Sequence, residues 1–347
     1  MDPLTRFSPS YVEARAKFRA AVDAHPHRVA RGSKPVLEDF TVDWAWTGKR
    51  DAQDILIYTS GVHGIEGYAG SAAQLELLSQ HQDVPTLWIH AVNPWGMAHF
   101  RRVNENNVDL NRNFLPPGQP YAADDADYAR VDTMLNPTGR PGTLRFFARA
   151  ALKIARHGKA TLTNAVARGQ YSYPEGLFYG GNALQAAPEA LLRFLDTQVP
   201  GRRRVMHVDL HVGRGKWGQY LAFLEGRPEP ELLDRGAAVW GERLRSWAAG
   251  TADGYDMRGG MLGELRRRYA ATRYDAVTLE FGTRGDLTIV RAMRAENQMY
   301  FHGRQHPDHP AHQRMRDVYY PADLRWQAAV LRHAQRVQQQ AQAMLAS

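Results

Sequence analysis

The 347-residue sequence predicts an α/β fold built on a largely parallel sheet with helices on both faces. Three observations lead there. Asp54-Ile-Leu-Ile-Tyr-Thr59 is an apolar run of strand length, followed at once by the glycine-rich stretch 61–67 and by residues 68–78, whose Ala, Leu and Gln favour a helix. Residues 86–92 form a second strand of the buried type, closed by Asn93-Pro94. Buried-type strands recur at 205–211 and 276–281, so strand and helix alternate over most of the chain.

Taken in order, residues 8–24 read as a helix, with Ser10 as its cap ahead of Tyr11, Ala14, Phe18 and Ala21. From 116 to 200 the pattern changes. Pro116-Pro117-Gly118 punctuates the chain, 124–135 and 143–156 look helical, and 171–182 is a loop rich in Tyr, Pro and Gly. This reads as a helical and loop insertion near the active site. Residues 205–211 return to strand, with His207, Asp209 and His211 alternating onto one face. Residues 229–247 read as helix, 276–281 as a strand ended by Gly282, and 320–347 as a C-terminal helical segment with its helix over 324–345. No internal repeat or composition break forces a division, so residues 1–347 are expected to form a single domain.

Composition narrows the function. Hydrophobic residues make up 44% and charged residues 23%, the balance of a soluble globular protein. No run approaches the ~18 apolar residues of a membrane span, so no membrane partner is expected. The first residues lack a basic start followed by an apolar stretch, which favours the cytoplasm. Without cysteine, thiolate nucleophiles and cysteine-held metals are excluded, and any transition metal falls to His, Asp or Glu. The formal charge of +8 includes the runs Arg202-Arg203-Arg204 and Arg266-Arg267-Arg268. No nucleic-acid motif accompanies them; a solvated surface, or attraction of anionic substrates, is the expectation, with no nucleic-acid partner.

His63 and Glu66 stand three apart directly after a strand, where one turn can aim both at one ion. Alone, such a pair also arises by chance at a helix start. A third ligand belongs at the end of a neighbouring strand, and His211 sits there; His207 and His90 read as core histidines. Glu280, inside an apolar strand, is costly unless paired or used, and suits a base for water. In Asp109-Leu-Asn111-Arg112, Arg112 and Asn111 suit a substrate carboxylate, and Asp109 suits an imidazole needing orientation. Arg102 suits a polarised carbonyl.

These segments, in this order, resemble the zinc carboxypeptidase clan, which also holds succinylglutamate desuccinylase and aspartoacylase. The resemblance covers roughly residues 50 to 285, and Gly176-Leu-Phe-Tyr-Gly-Gly181 resembles an uncharacterised bacterial branch of the clan. It implies a single α/β domain with a mixed, mostly parallel twisted sheet. It implies one zinc ion on His63, Glu66 and His211, with Glu280 as general base. It also implies substrate carboxylate binding by Asn111 and Arg112, support of His63 by Asp109, and an oxyanion arginine at Arg102, although Arg101 stands beside it. Tyr179 and Tyr255 are the two candidates for the tyrosine that closes on substrate. The expected activity is hydrolysis of an amide bond next to a free carboxylate, on a peptide C-terminus or on an N-acyl amino acid. A non-catalytic basic binding protein on the same scaffold is the rival from another class. Two further features are discounted. The tract His302, His306, His309 and His312 is interrupted by prolines, and Gly213-Arg-Gly-Lys216 lacks the spacing of a phosphate loop.

Overall fold

Apolar runs make the centre of the sheet, and polar strands make its edge. The computed structural model describes residues 3–226, 228–247, 255, 257–304, 306 and 308–347. Its strands are β1 (Arg28–Leu37), β2 (Phe40–Thr47), β3 (Asp54–Ser60), β4 (Thr86–His90), β5 (Arg204–Gly213), β6 (Tyr220–Leu224), β7 (Leu244–Ser246) and β8 (Arg273–Gly282). They form one sheet in the order β1-β2-β4-β3-β5-β8-β6-β7. The centre, β4-β3-β5-β8, is parallel, whereas β1-β2, β2-β4 and β8-β6 are antiparallel. The expected mixed, mostly parallel sheet is therefore present.

Helices cover both faces: α1 (Tyr11–Asp23), α2 (Gly67–Leu78), α3 (Pro94–Ala98), α4 (Ala126–Leu135), α5 (Thr143–His157), α6 (Lys159–Ala167), α7 (Ala186–Leu195), α8 (Pro230–Trp240), α9 (Met261–Arg268), α10 (Asp286–His302), α11 (Pro310–Tyr319) and α12 (Leu324–Ala346). Period-two alternation divides β3 between two cores. Leu56 and Tyr58 join the larger cluster with α1, α2, α8 and α12. Ile55 and Ile57 join the other with α7 and α9. Every residue of α2 is buried, and Gln74 in its middle spends its amide on the carbonyls of Tyr58 and Ile89. Ser10 caps α1 as expected, accepting from Glu13 N.

Two boundaries differ from expectation. The strand over 86–92 stops at His90, because Ala91 turns left-handed (φ 57°) and leaves the ladder. The helix over 229–247 stops at Trp240, because Gly241 takes φ 55°; a short turn and β7 follow. β1, β2, β6, α3, α9, α10 and α11 lie where no element was expected, and α6 and α7 add to the two helices named within the 116–200 insertion. No described helix is long and apolar enough to cross a membrane. The arginines of the two basic runs are largely engaged: Arg203 with Asp54, Arg267 with Glu264, Arg268 with Asp196, and Arg204 with the carbonyls of Leu345 and Ala346.

Candidate active site

The chain runs from β3 to β4 on one side and to β5 on the other, so the strand order reverses beside β3, at the carboxyl ends of parallel strands. That crevice holds the site. His63 follows β3, and Gly64–Glu66 form a single 3-10 turn into α2. Gly64 is required there. A Cβ on it would lie 2.2 Å from the carbonyl carbon of Gly96. The turn is stitched to a neighbouring loop by Gly64 N to Arg102 O (3.0 Å) and Ile65 N to Arg101 O (2.9 Å). His211 stands near the end of β5, directly across the ladder from Glu280 on β8.

His63 Nδ1 lies 3.0 Å from Glu66 Oε1, and His211 Nδ1 lies 3.1 Å from both Glu66 Oε2 and His63 Nδ1. Each imidazole is oriented by a carboxylate at its other nitrogen. Asp109 Oδ1 lies 3.0 Å from His63 Nε2, and Asp209 Oδ2 bonds His211 Nε2. A carboxylate takes the Nε2 proton and leaves both Nδ1 atoms as acceptors. Three acceptor atoms thus converge with no proton of their own to share, in a fully buried place. This donor set fits a metal cation. Among the described residues His63, Glu66 and His211 are the group with metal-ligating geometry.

The electrostatics agree. Burial alone would raise Glu66, yet His63 and His211 hold it far below the usual carboxylate range. Burial opposes the charge on His211, yet Asp209 and Glu66 push its pKa well up, so the place favours positive charge. Asp109 is pulled down against its burial by Arg102 and His63. Glu280 goes the other way. Burial raises it, the Glu66 charge adds to this, and the Arg214 N–H it accepts (3.1 Å) only partly offsets them.

A cavity of about 600 Å³ opens over these groups, lined at one end by His63, His211, Glu280, Arg102, Asn111 and Arg112. Arg102 donates to Glu66 Oε1 (2.9 Å) and Asp109 Oδ2 (3.1 Å) at this wall. Arg101 turns away into a buried pair with Glu296 (2.6 Å) and stacks on Tyr300. Asn111 Oδ1 accepts from Met261 N at the start of α9. Arg112 is held by the carbonyls of Ala167 and Asn111, and it also reaches Tyr255 Oη (3.4 Å) and Met257 Sδ (3.2 Å). Tyr255 lines the cavity.

Tyr179 corrects the expectation. Its carbonyl is pinned to Asp109 N, and its ring falls into the apolar cluster with Val108, Leu110 and Phe114, while Phe178 takes the cavity wall. Three residues were missed. Tyr319, at the end of α11, lines the cavity and bonds Arg102, with burial pushing its pKa up. Arg214 lines the cavity three residues after His211. Asp209 orients His211; its signal was the alternation that puts it on the His211 face. The histidine tract is dispersed: His302 ends α10, His309 caps α11 and His312 lies within α11, while residues 305 and 307 are outside the described set.

A family model described as "Protein of unknown function (DUF2817)" matches residues 7–333. The chain belongs to that family. No curated protein matches it. Among solved structures it is similar to carboxypeptidase A from Helicoverpa armigera (12% identity, TM-score 0.49, covering 94% of this chain and 74% of that one). It is also similar to murein-tripeptide amidase from Escherichia coli O157 (16%, TM-score 0.40, 84% and 97%) and to succinylglutamate desuccinylase from Chromobacterium violaceum (17%, TM-score 0.37, 86% and 76%).

Proposed function

We propose that this DUF2817 protein is a zinc-dependent hydrolase, carboxypeptidase-like, that cleaves an amide bond whose amine side carries a free carboxylate. The observation that carries the reading is the convergence of His63 Nδ1, Glu66 and His211 Nδ1 beside a buried carboxyl of raised pKa, Glu280, in one cavity. Those three residues would hold one zinc ion, which when bound supplies Lewis-acid polarisation of water and carbonyl. Glu280 takes a proton from the attacking water and delivers it to the departing nitrogen. Its raised pKa suits both halves of that task, since the group must hold the proton between them. Arg102, fixed on Glu66 and Asp109, turns its remaining N–H groups to the developing oxyanion. Asn111 and Arg112 receive the substrate carboxylate, which displaces the long contacts of Arg112 to Met257 and Tyr255 and leaves the backbone carbonyls holding the guanidinium.

The test is metal content of the purified protein, followed by hydrolysis of C-terminal peptides beside N-acyl amino acids. One zinc per chain is expected. Glu280→Gln should keep the metal and lose about 10²–10⁴-fold in kcat. Absence of stoichiometric metal overturns the reading; a fully active Glu280→Gln overturns the assigned base alone.

A further inference from the structure

The cavity does not end at the metal ligands. Its other walls come from α4, α5, α6 and α10 and are mostly apolar, with Met134, Phe146, Ile154, Leu162 and Val166 in the lining, Ile289 close to Glu280, and the hydroxyls of Thr163 and Thr288 among them. The charged lining residues gather at the site end, apart from Asp286 at the start of α10. A peptide extended along such walls would bring an N–H and a C=O with every residue, and those groups need partners that apolar side chains cannot give. A hydrocarbon needs none. At about 600 Å³ the chamber lies within the ~300–1,000 Å³ of small-molecule sites, well beyond what one small side chain occupies.

Resting on the hydrolase reading above, we infer that the acyl side of the substrate is a long hydrocarbon, making the substrate class N-acyl amino acids with aliphatic acyl chains. The amino acid carboxylate sits at the Arg112 end, the scissile carbonyl beside Glu280 and Arg102, and the alkyl chain among α4, α5, α6 and α10. Water adds its oxygen to the acyl carbon, the C–N bond breaks, both water protons end on the departing nitrogen, and a fatty carboxylate and an amino acid with its ammonium group leave.

The experiment uses N-acetyl-, N-hexanoyl-, N-decanoyl- and N-tetradecanoylglycine on the zinc-loaded protein, with a C-terminal dipeptide alongside. The non-hydrolysable N-dodecylglycine is titrated calorimetrically beside N-methylglycine. We expect kcat/KM to rise about fourfold per methylene until the chamber is full, the worth of one buried CH₂. Ile154→Trp should move the optimum to shorter chains, and N-dodecylglycine should bind where N-methylglycine does not. Hydrolysis of acetylglycine or the dipeptide with no gain along the series overturns the chain inference and leaves the hydrolase reading standing. If nothing is hydrolysed, the hydrolase reading fails and binding decides the rest: tight N-dodecylglycine upholds the hydrocarbon chamber, and equal affinities for both probes overturn it.

Discussion

Replacing Asp209 with Asn changes one atom and tests the tautomer on which the donor set depends. A buried chain of hydrogen bonds runs through the sheet. Tyr274 Oη lies 2.7 Å from His207 Nδ1, His207 Nε2 lies 2.9 Å from Thr59 Oγ1, and Thr59 Oγ1 donates to Asp209 Oδ1 at 2.6 Å. Asp209 Oδ2 then takes His211 Nε2–H. His207 is neutral, since burial lowers its pKa to about 4. With the tyrosine donating to Nδ1, its proton sits on Nε2, and Thr59 must send its own proton to Asp209. In Asp209→Asn the amide oxygen stays with Thr59 and the NH₂ meets His211 Nε2, donor against donor. Relief requires His211 to move its proton to Nδ1, the atom that faces His63 and Glu66. Losing such a supporting contact lowers metal affinity about 10–100-fold, or about 1.4–2.7 kcal/mol. Competition against a chromogenic chelator at pH 7 measures it, with urea unfolding to verify the fold. Thr59→Val in the same chain frees the Asn amide to rotate and should recover part of the loss. Affinity within twofold of wild type in Asp209→Asn would refute the argument.

Three further outcomes are expected. Burial lowers His90 to about 4; a histidine depressed in the folded state contributes stability present above its unfolded pKa of ~6.5 and lost as pH falls towards 4, on the order of 3 kcal/mol here. The urea midpoint should therefore drop between pH 7.5 and 4.5, and His90→Gln should flatten that limb; an unchanged slope counts against it. Gly64→Ala drives a Cβ into the Gly96 backbone and should destabilise by about 3 kcal/mol while weakening metal binding, read by thermal melting with and without zinc. Arg101→Met leaves Glu296 buried without its partner and should destabilise by about 3–5 kcal/mol, with Arg101→Met/Glu296→Leu recovering most of it; a double variant no better than the single would show that the pair's charges do not matter.

The parts of this molecule legible in the sequence are those where chemistry is local. β3, β5 and β8 are runs buried on both faces, so their apolar content announces them, and the chemistry-bearing residues sit at their ends. His63 and Glu66 share one turn, and Asp109 to Arg112 share another. β1 was not legible because an edge strand has no buried face to advertise: Arg28, Arg31, Gly32, Ser33, Lys34 and Pro35 keep it largely exposed. α10 was obscured by Arg294, Glu296 and Asn297, polar residues that tertiary partners bury within the helix. Tyr319 was invisible for another reason. It enters the cavity only because α11 folds back on it, and no spacing relative to Glu280 encodes that return. Tyr179 misled because a tyrosine in a glycine-rich loop says nothing about which neighbour takes the cavity wall.

The placement of the donor atoms on β3 and β5 has a consequence for synthesis. Glu66 and His211 touch in space, yet 145 residues separate them in the chain. At about 5–20 residues per second on the ribosome, roughly 7–30 s pass between the emergence of the first two donors and the third. Through that interval only His63 and Glu66 of the three converging donors are in place. The three donors come together only once β5 has docked beside β3, so the group is completed at a late stage of folding.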